Sequence, residues 1–299
     1  MMPVERLRAY LELARPANVV TAFADVLAGF AAAGAFLLGF ETPYGGDLFY
    51  LLAATGGLYA GGVVFNDVFD APLDARERPE RPIPSGRIPQ MHAAVYGSVL
   101  LAIGLAAALA VGLIPFMVAL AIAIGALTYD AAGKHHALLG PINMGACRGA
   151  NLLLGASVLP GMLYEIWYIG LIPVAYIGAV TAISRGEVHG GSRGTGTLAV
   201  CLAAVVTGGL LLLGLRLDYR TLHALPFLAI FGSLVFPPFV QAAARPSPDH
   251  IRKAVRTGVL ALVAMDATLA AGFAGWAAGL TVLLLLPVSL GMAKLFAVT

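Results

Sequence analysis

The chain has 299 residues, 60% of them hydrophobic and only 11% charged, with a net charge of +2 and a mean hydropathy of +0.88. Such values exclude an ordinary water-soluble domain, in which roughly a quarter of residues are charged, and place the chain among polytopic membrane proteins with the lipid bilayer as partner. A nucleic-acid partner is excluded as well, because the basic residues are spread along the chain and form no patch.

In chain order, Glu5, Arg6, Arg8, Glu12 and Arg15 read as an amphipathic lead-in at the membrane surface, closed by Pro16 at the start of the first span. That span covers 18–38. It is too long for a secretory leader and is interrupted by Asp25, so an uncleaved helix is expected. Further apolar runs follow at 48–66, 92–113, 115–129, 142–162, 167–183, 198–215, 223–244, 254–273 and 277–296. Each is near the length a helix needs to cross ~30 Å of hydrocarbon. The expectation is an all-α bundle of nine to ten transmembrane helices forming a single domain over residues 1–299, since no linker, low-complexity segment or fixed-period repeat divides the chain. Cys147 and Cys201 lie in apolar runs and make neither a disulfide framework nor a metal site.

Charge orients the spans. Assigned to alternate sides, the loops place fifteen of the 18 Lys and Arg with the N-terminus, against Arg216 and Arg220 opposite and Arg148 inside a span. The positive-inside rule then puts the N-terminus in the cytoplasm together with the charged loops after the second, fourth, sixth and eighth spans.

The richest of these stretches is 65–87, which reads Phe-Asn-Asp-Val-Phe-Asp-Ala-Pro-Leu-Asp-Ala-Arg-Glu-Arg-Pro-Glu-Arg-Pro-Ile-Pro-Ser-Gly-Arg. Asn66, Asp70 and Asp74 are spaced i, i+4, i+8, with Asp67 seven before Asp74, so on a helix they share one face within about two turns. Crowded carboxylates repel unless a cation sits among them, and hard oxygen donors without nearby Cys or clustered His favour Mg²⁺ over zinc. Arg76, Arg78, Arg81 and Arg87 follow, a composition suited to a phosphate-bearing ligand held by metal on one side and guanidinium groups on the other. The plainer reading, a solvated charged loop, is disfavoured by the regular acidic spacing beside an apolar helix end.

Asn-Asp-x-x-Asp-x-x-x-Asp followed by Arg-Pro-Ile-Pro-Ser-Gly resembles the first aspartate motif of the UbiA family of intramembrane prenyltransferases. The resemblance, which runs from Arg15 to about Gly279, implies a helical membrane protein that uses Mg²⁺ to bind an isoprenoid diphosphate and moves its prenyl group to a hydrophobic acceptor, aromatic or lipid. It implies metal binding by Asn66, Asp67, Asp70 and Asp74, with Asp70 and Asp74 carrying catalysis. Diphosphate contacts would come from Asn66, Arg78, Lys134, Arg185 and Arg193. The expected location is a prokaryotic plasma membrane. Ala146-Cys-Arg-Gly-Ala-Asn151 and the loop 184–194 resemble most closely the EboC-like branch of the family.

One part departs from the pattern. Aligning Gly191-Ser192-Arg193 with the family's Gly-Asp-Arg puts Val188 and Ser192 where two aspartates of a second motif are expected, and Arg185 where an earlier acid stands. Glu187 and His189 remain as metal or base groups. Either Arg185 and Arg193 bind diphosphate directly, with Ser192, Thr195 and glycine N–H groups completing a cradle, or the chain keeps only binding or transport of an isoprenoid or hydrophobic metabolite. A CDP-alcohol phosphotransferase is disfavoured because its signature is absent.

Polar groups inside spans are costly and need partners. Asn143, Cys147 and Asn151 recur on one helix face with Arg148 on its shoulder, which predicts a polar stripe turned to an interior cavity. Arg148 is open to two readings, an ion pair with Asp25 or a contact to the acceptor. Asp266 is the third conspicuous intramembrane charge.

Overall fold

A computed structural model describes residues 3–39, 41, 43–133, 136, 138–187 and 190–295. Its described residues form fourteen α-helices and no strand: α1 Pro3–Ala14, α2 Pro16–Ala32, α3 Ala35–Leu38, α4 Pro43–Glu77, α5 Gln90–Val111, α6 Leu113–Ala131, α7 Leu139–Ala156, α8 Pro160–Ile166, α9 Leu171–Ser184, α10 Arg193–Leu212, α11 Thr221–Ala244, α12 Pro248–Ala274, α13 Trp276–Leu283 and α14 Leu285–Leu295. Eight helical stretches are long and apolar enough to cross a membrane, with α8–α9 and α13–α14 each counting as one. The sequence predicted nine to ten. The two runs outside the eight are α2, apolar but only 17 residues long, and α7, whose Asn143, Arg148 and Asn151 lower its hydropathy. Both are helical, and both belong to the interior of the bundle.

The centre is built by α2, most of whose residues are buried, and by the second half of α12, where 261–273 are all buried, with α7 packed on α2 and on α9, α4 on α5, and α11 on α12. In a bilayer, helices associate through close packing of small residues. A Cβ on Gly29 would run into the Leu152 carbonyl and one on Gly155 into the Val26 carbonyl, so these two glycines set how closely α2 approaches α7. On α5 the outward stripe is apolar, with Met91, Val95, Val99 and Ile103 all exposed, as a lipid-facing surface requires.

Two local features place the charged motif. Helix α4 runs unbroken for 35 residues and carries Asn66 to Asp74 on its last turns. Pro72 lies inside it and lacks the N–H that would bond the Val68 carbonyl. Gln90 on α5 donates its side-chain amide to that carbonyl at 2.9 Å, and the helix continues. At the other side, Arg15 adopts a left-handed conformation (φ 45°) just before Pro16, turning the chain from α1 into α2. Such a backbone is uncommon for a residue with a side chain, and it lets α1 fold over the end of α4, where Ala9 and Leu13 pack with Val64, Ile88 and Ala93.

Candidate active site

Helices α2, α4, α6 and α7 enclose a cavity of about 260 Å³. One face of α4 supplies Thr55, Leu58, Tyr59, Gly62, Val63 and Asn66, which recur at the three- and four-residue steps of a helix. Arg15 and Asn18 close it from α2, Ile122, Ala126, Tyr129 and Asp130 from α6, and Met144, Cys147, Arg148 and Asn151 from α7. Of the polar stripe expected on α7, Cys147, Arg148 and Asn151 therefore face an interior cavity, whereas Asn143 does not line it.

At the end formed by the motif, Asn66 donates its side-chain amide to Asp130 at 2.8 Å. Asp130 is buried and has no place in the motif that identified the site. The only signal for it was an acid at the end of an apolar run, in Thr128-Tyr-Asp130.

The five metal ligands read from the sequence do not converge. Asp67 and Asp74 are both buried and both face arginine. Arg15 lies 2.6 Å and Arg81 3.3 Å from Asp67, and Arg81 lies 2.8 Å from Asp74. Asn66 and Asp67 point about 100° apart around the helix, so one looks into the cavity while the other meets Arg15, between α1 and α2, and Arg81 of the 78–89 loop. Asp70 lies between these faces and is partly exposed. Glu187 is across the site beside Arg78 and Arg252. Burial lifts its carboxyl above the ordinary glutamate range, and the two arginines pull it back down. Among the described residues no three or more His, Cys, Asp or Glu side chains form a ready metal centre.

Of the predicted phosphate ligands, Arg78 and Arg193 are exposed, and Arg185 donates to the His136 carbonyl at 2.7 Å, joining α9 to the loop after α6. Ser192 caps α10, its hydroxyl accepting from the Thr195 N–H at 3.0 Å. Lys134, His135, Val188 and His189 lie outside the described residues.

Deeper in the bundle Arg148 makes the ion pair with Asp25. Its guanidinium is 3.0 Å from Asp25, donates to Thr21 at 3.0 Å, lies over the Tyr59 ring and still lines the cavity. Asn151 donates to Asp25 at 2.8 Å and to the Ala22 carbonyl at 2.9 Å, and accepts from Thr55 at 2.6 Å. Asp266 abuts Asp25 from α12. Helices α2, α4 and α7 are thus tied by polar contacts, with Asp266 of α12 beside them, and nearly all the members are inaccessible to solvent.

Residues 27–241 match the model of the UbiA prenyltransferase family. The chain belongs to that family. It is 30% identical to the digeranylgeranylglyceryl phosphate synthase of Methanothermobacter thermautotrophicus over 80% of this chain and 82% of the relative. To the enzyme of the same name from Sulfolobus acidocaldarius it is 34% identical, over 66% and 70% respectively. Among solved structures, a digeranylgeranylglyceryl phosphate synthase aligns with a TM-score of 0.68 at 20% identity, covering 90% of this chain and 98% of that one. A UbiA homologue from Archaeoglobus fulgidus bound to GPP and Mg²⁺ aligns with a TM-score of 0.55 at 14% identity, covering 92% and 99%. The fold is therefore that of UbiA prenyltransferases, and the chain is a multi-pass membrane prenyltransferase.

Proposed function

We propose that this UbiA prenyltransferase moves an isoprenyl group from an isoprenoid diphosphate, with Mg²⁺, to the hydroxyl of a prenylated glyceryl phosphate lipid. The observation that carries this reading is the division of the cavity. Asn66, Asp130 and Arg15 gather at one end, and Leu58, Val63, Ile122, Ala126 and Met144 form apolar wall. A charged head group and an isoprenoid chain thereby have separate places. The acceptor class comes from the name shared by the relatives.

The residues present fit Mg²⁺. Their donors are hard oxygens, and this ion is commonly held by one or two carboxylates together with substrate phosphates, so a ready cluster of three acids is not required. Asn66 and Asp70 would hold it. When bound it neutralises diphosphate charge and makes diphosphate a better leaving group. Arg78, Arg185 and Arg193, with Lys134, donate to the phosphate oxygens. The allylic C–O bond breaks with its electron pair leaving on diphosphate, the acceptor oxygen forms the new C–O bond, and the proton of the acceptor hydroxyl passes to the departing diphosphate. The apolar walls keep water from capturing the prenyl group first.

We further place the N-terminus and the loops bearing Arg78, Arg185 and Arg193 on the cytoplasmic side of a plasma membrane, from the distribution of Lys and Arg. Labelling of Ser192→Cys by an impermeant thiol reagent on intact cells would overturn that orientation.

The function is tested by incubating the purified protein with geranylgeranyl diphosphate, Mg²⁺ and geranylgeranylglyceryl phosphate and following the doubly prenylated lipid by mass spectrometry. Product that disappears with EDTA is expected. Binding of the diphosphate without turnover on this acceptor would remove the acceptor assignment, and failure to bind it at all would remove the whole reading.

A further inference from the structure

Asp130 comes from α6, while Asn66 opens the acidic motif on α4, 64 residues earlier in the chain. Both line the cavity, and Asp130 is only 5% exposed. Their hydrogen bond has a direction that chemistry dictates. A carboxylate can only accept, so the Asn66 amide nitrogen must face Asp130, and Oδ1 is the acceptor that Asn66 can turn to a cation. Without such a partner the amide can turn over and present N–H groups, which repel a cation.

The rest of the site makes this orientation matter. Asp67 and Asp74 are held by Arg15 and Arg81, Ser192 is occupied in capping α10, and Glu187 sits beside Arg78 and Arg252. The oxygen of Asn66 therefore carries more of the task of holding a cation than it would beside a full second set of acids. We propose that Asp130 is a positioning residue of this site, which locks the Asn66 side chain with its carbonyl oxygen turned to the metal and diphosphate. The inference rests on the transferase reading above.

Mn²⁺ serves as the probe, titrated into the detergent-solubilised full chain with the non-reactive analogue geranyl S-thiolodiphosphate and read by electron paramagnetic resonance. Asp130→Ala removes the acceptor and should weaken Mn²⁺ binding about tenfold, as expected for loss of a hydrogen bond that orients a charged-ligand contact. Asp130→Asn can offer Asn66 either a carbonyl or an amide N–H, so it fixes the orientation only in part and should give a loss between the parent protein and Asp130→Ala. In an Asn66→Ala background, Asp130→Ala should have no further effect. Asp130→Leu, which keeps the branching of aspartate at Cγ without an acceptor, replaces Asp130→Ala if the smaller side chain does not fold, as judged by monodispersity and thermal midpoint.

Mn²⁺ binding unchanged in Asp130→Ala would overturn the proposal. So would a full additional loss in the Asn66→Ala background, which would assign the effect to the charge of Asp130 rather than to its hold on Asn66. If the parent protein itself binds no Mn²⁺ with the analogue, the transferase reading fails and this inference falls with it. If the parent binds and the variants do not differ, only the inference fails.

Discussion

Arg81 donates to Asp74 at 2.8 Å, and the same nitrogen lies 3.3 Å from Asp67, so the loop leaving α4 folds back onto the acidic face it came from. The three side chains are largely buried. Removing one partner of a buried ion pair leaves an uncompensated charge and costs about 3–5 kcal/mol. Arg15 still serves Asp67 at 2.6 Å, which places Arg81→Ala near the lower end, at about 3 kcal/mol. The thermal midpoint in detergent should fall, and limited proteolysis should cut first within the 78–89 loop. An unchanged midpoint would show that the arginine contributes nothing to holding the loop.

Two acids of one motif should behave differently. Asp74 is buried against Arg81, so Asp74→Asn should lower thermal stability as well as ligand affinity. Asp70 is partly exposed, so Asp70→Asn should remove most Mg²⁺-dependent diphosphate binding with little change in the melting curve. Calorimetry and thermal unfolding on the same preparations separate the two. Matching profiles for both variants would contradict the division of the helix face.

The Arg148 cluster gives a third expectation. Asp25 and Asp266 are completely inaccessible, and Arg148 is the cation beside them. Arg148→Met should destabilise the protein by about 3–5 kcal/mol, because it leaves carboxyls in a medium that does not solvate charge. Adding Asp25→Leu should recover part of the loss, since replacing both members of a buried pair by apolar side chains costs less than breaking it. A double variant less stable than Arg148→Met alone would show that Asp25 has another essential partner.

Glu187 supplies a pH signature. Burial raises its folded-state pKa above the ordinary glutamate value, with Arg78 and Arg252 opposing. Below that ordinary value the group is protonated in folded and unfolded chains alike, and it imposes no penalty. As pH rises towards the folded-state value the unfolded chain releases its proton first, and stability falls; above it the loss stays constant. Glu187→Gln has no proton to release, so it should match the parent protein at low pH and become the more stable of the two towards neutrality. Thermal midpoints across a pH series check the crossover.

The amino-acid sequence by itself determined that the chain is a helical membrane bundle, because 60% hydrophobic content in runs near the span length leaves few alternatives. It also marked the acidic motif at the end of the second long helix, since residue spacing on a helix is a local property. Only the tertiary structure decided what each acid meets. The Arg15–Asp67, Asn66–Asp130 and Asn151–Asp25 contacts join residues 52, 64 and 126 positions apart, and how far each helix is rotated about its axis depends on packing against neighbours distant in the chain. A rotation of about 100° separates a cavity-facing Asn66 from an arginine-bound Asp67. Asp130 stayed invisible for the same reason: its hydrogen bond with Asn66 comes from α6 lying beside α4, and no spacing within either helix records that.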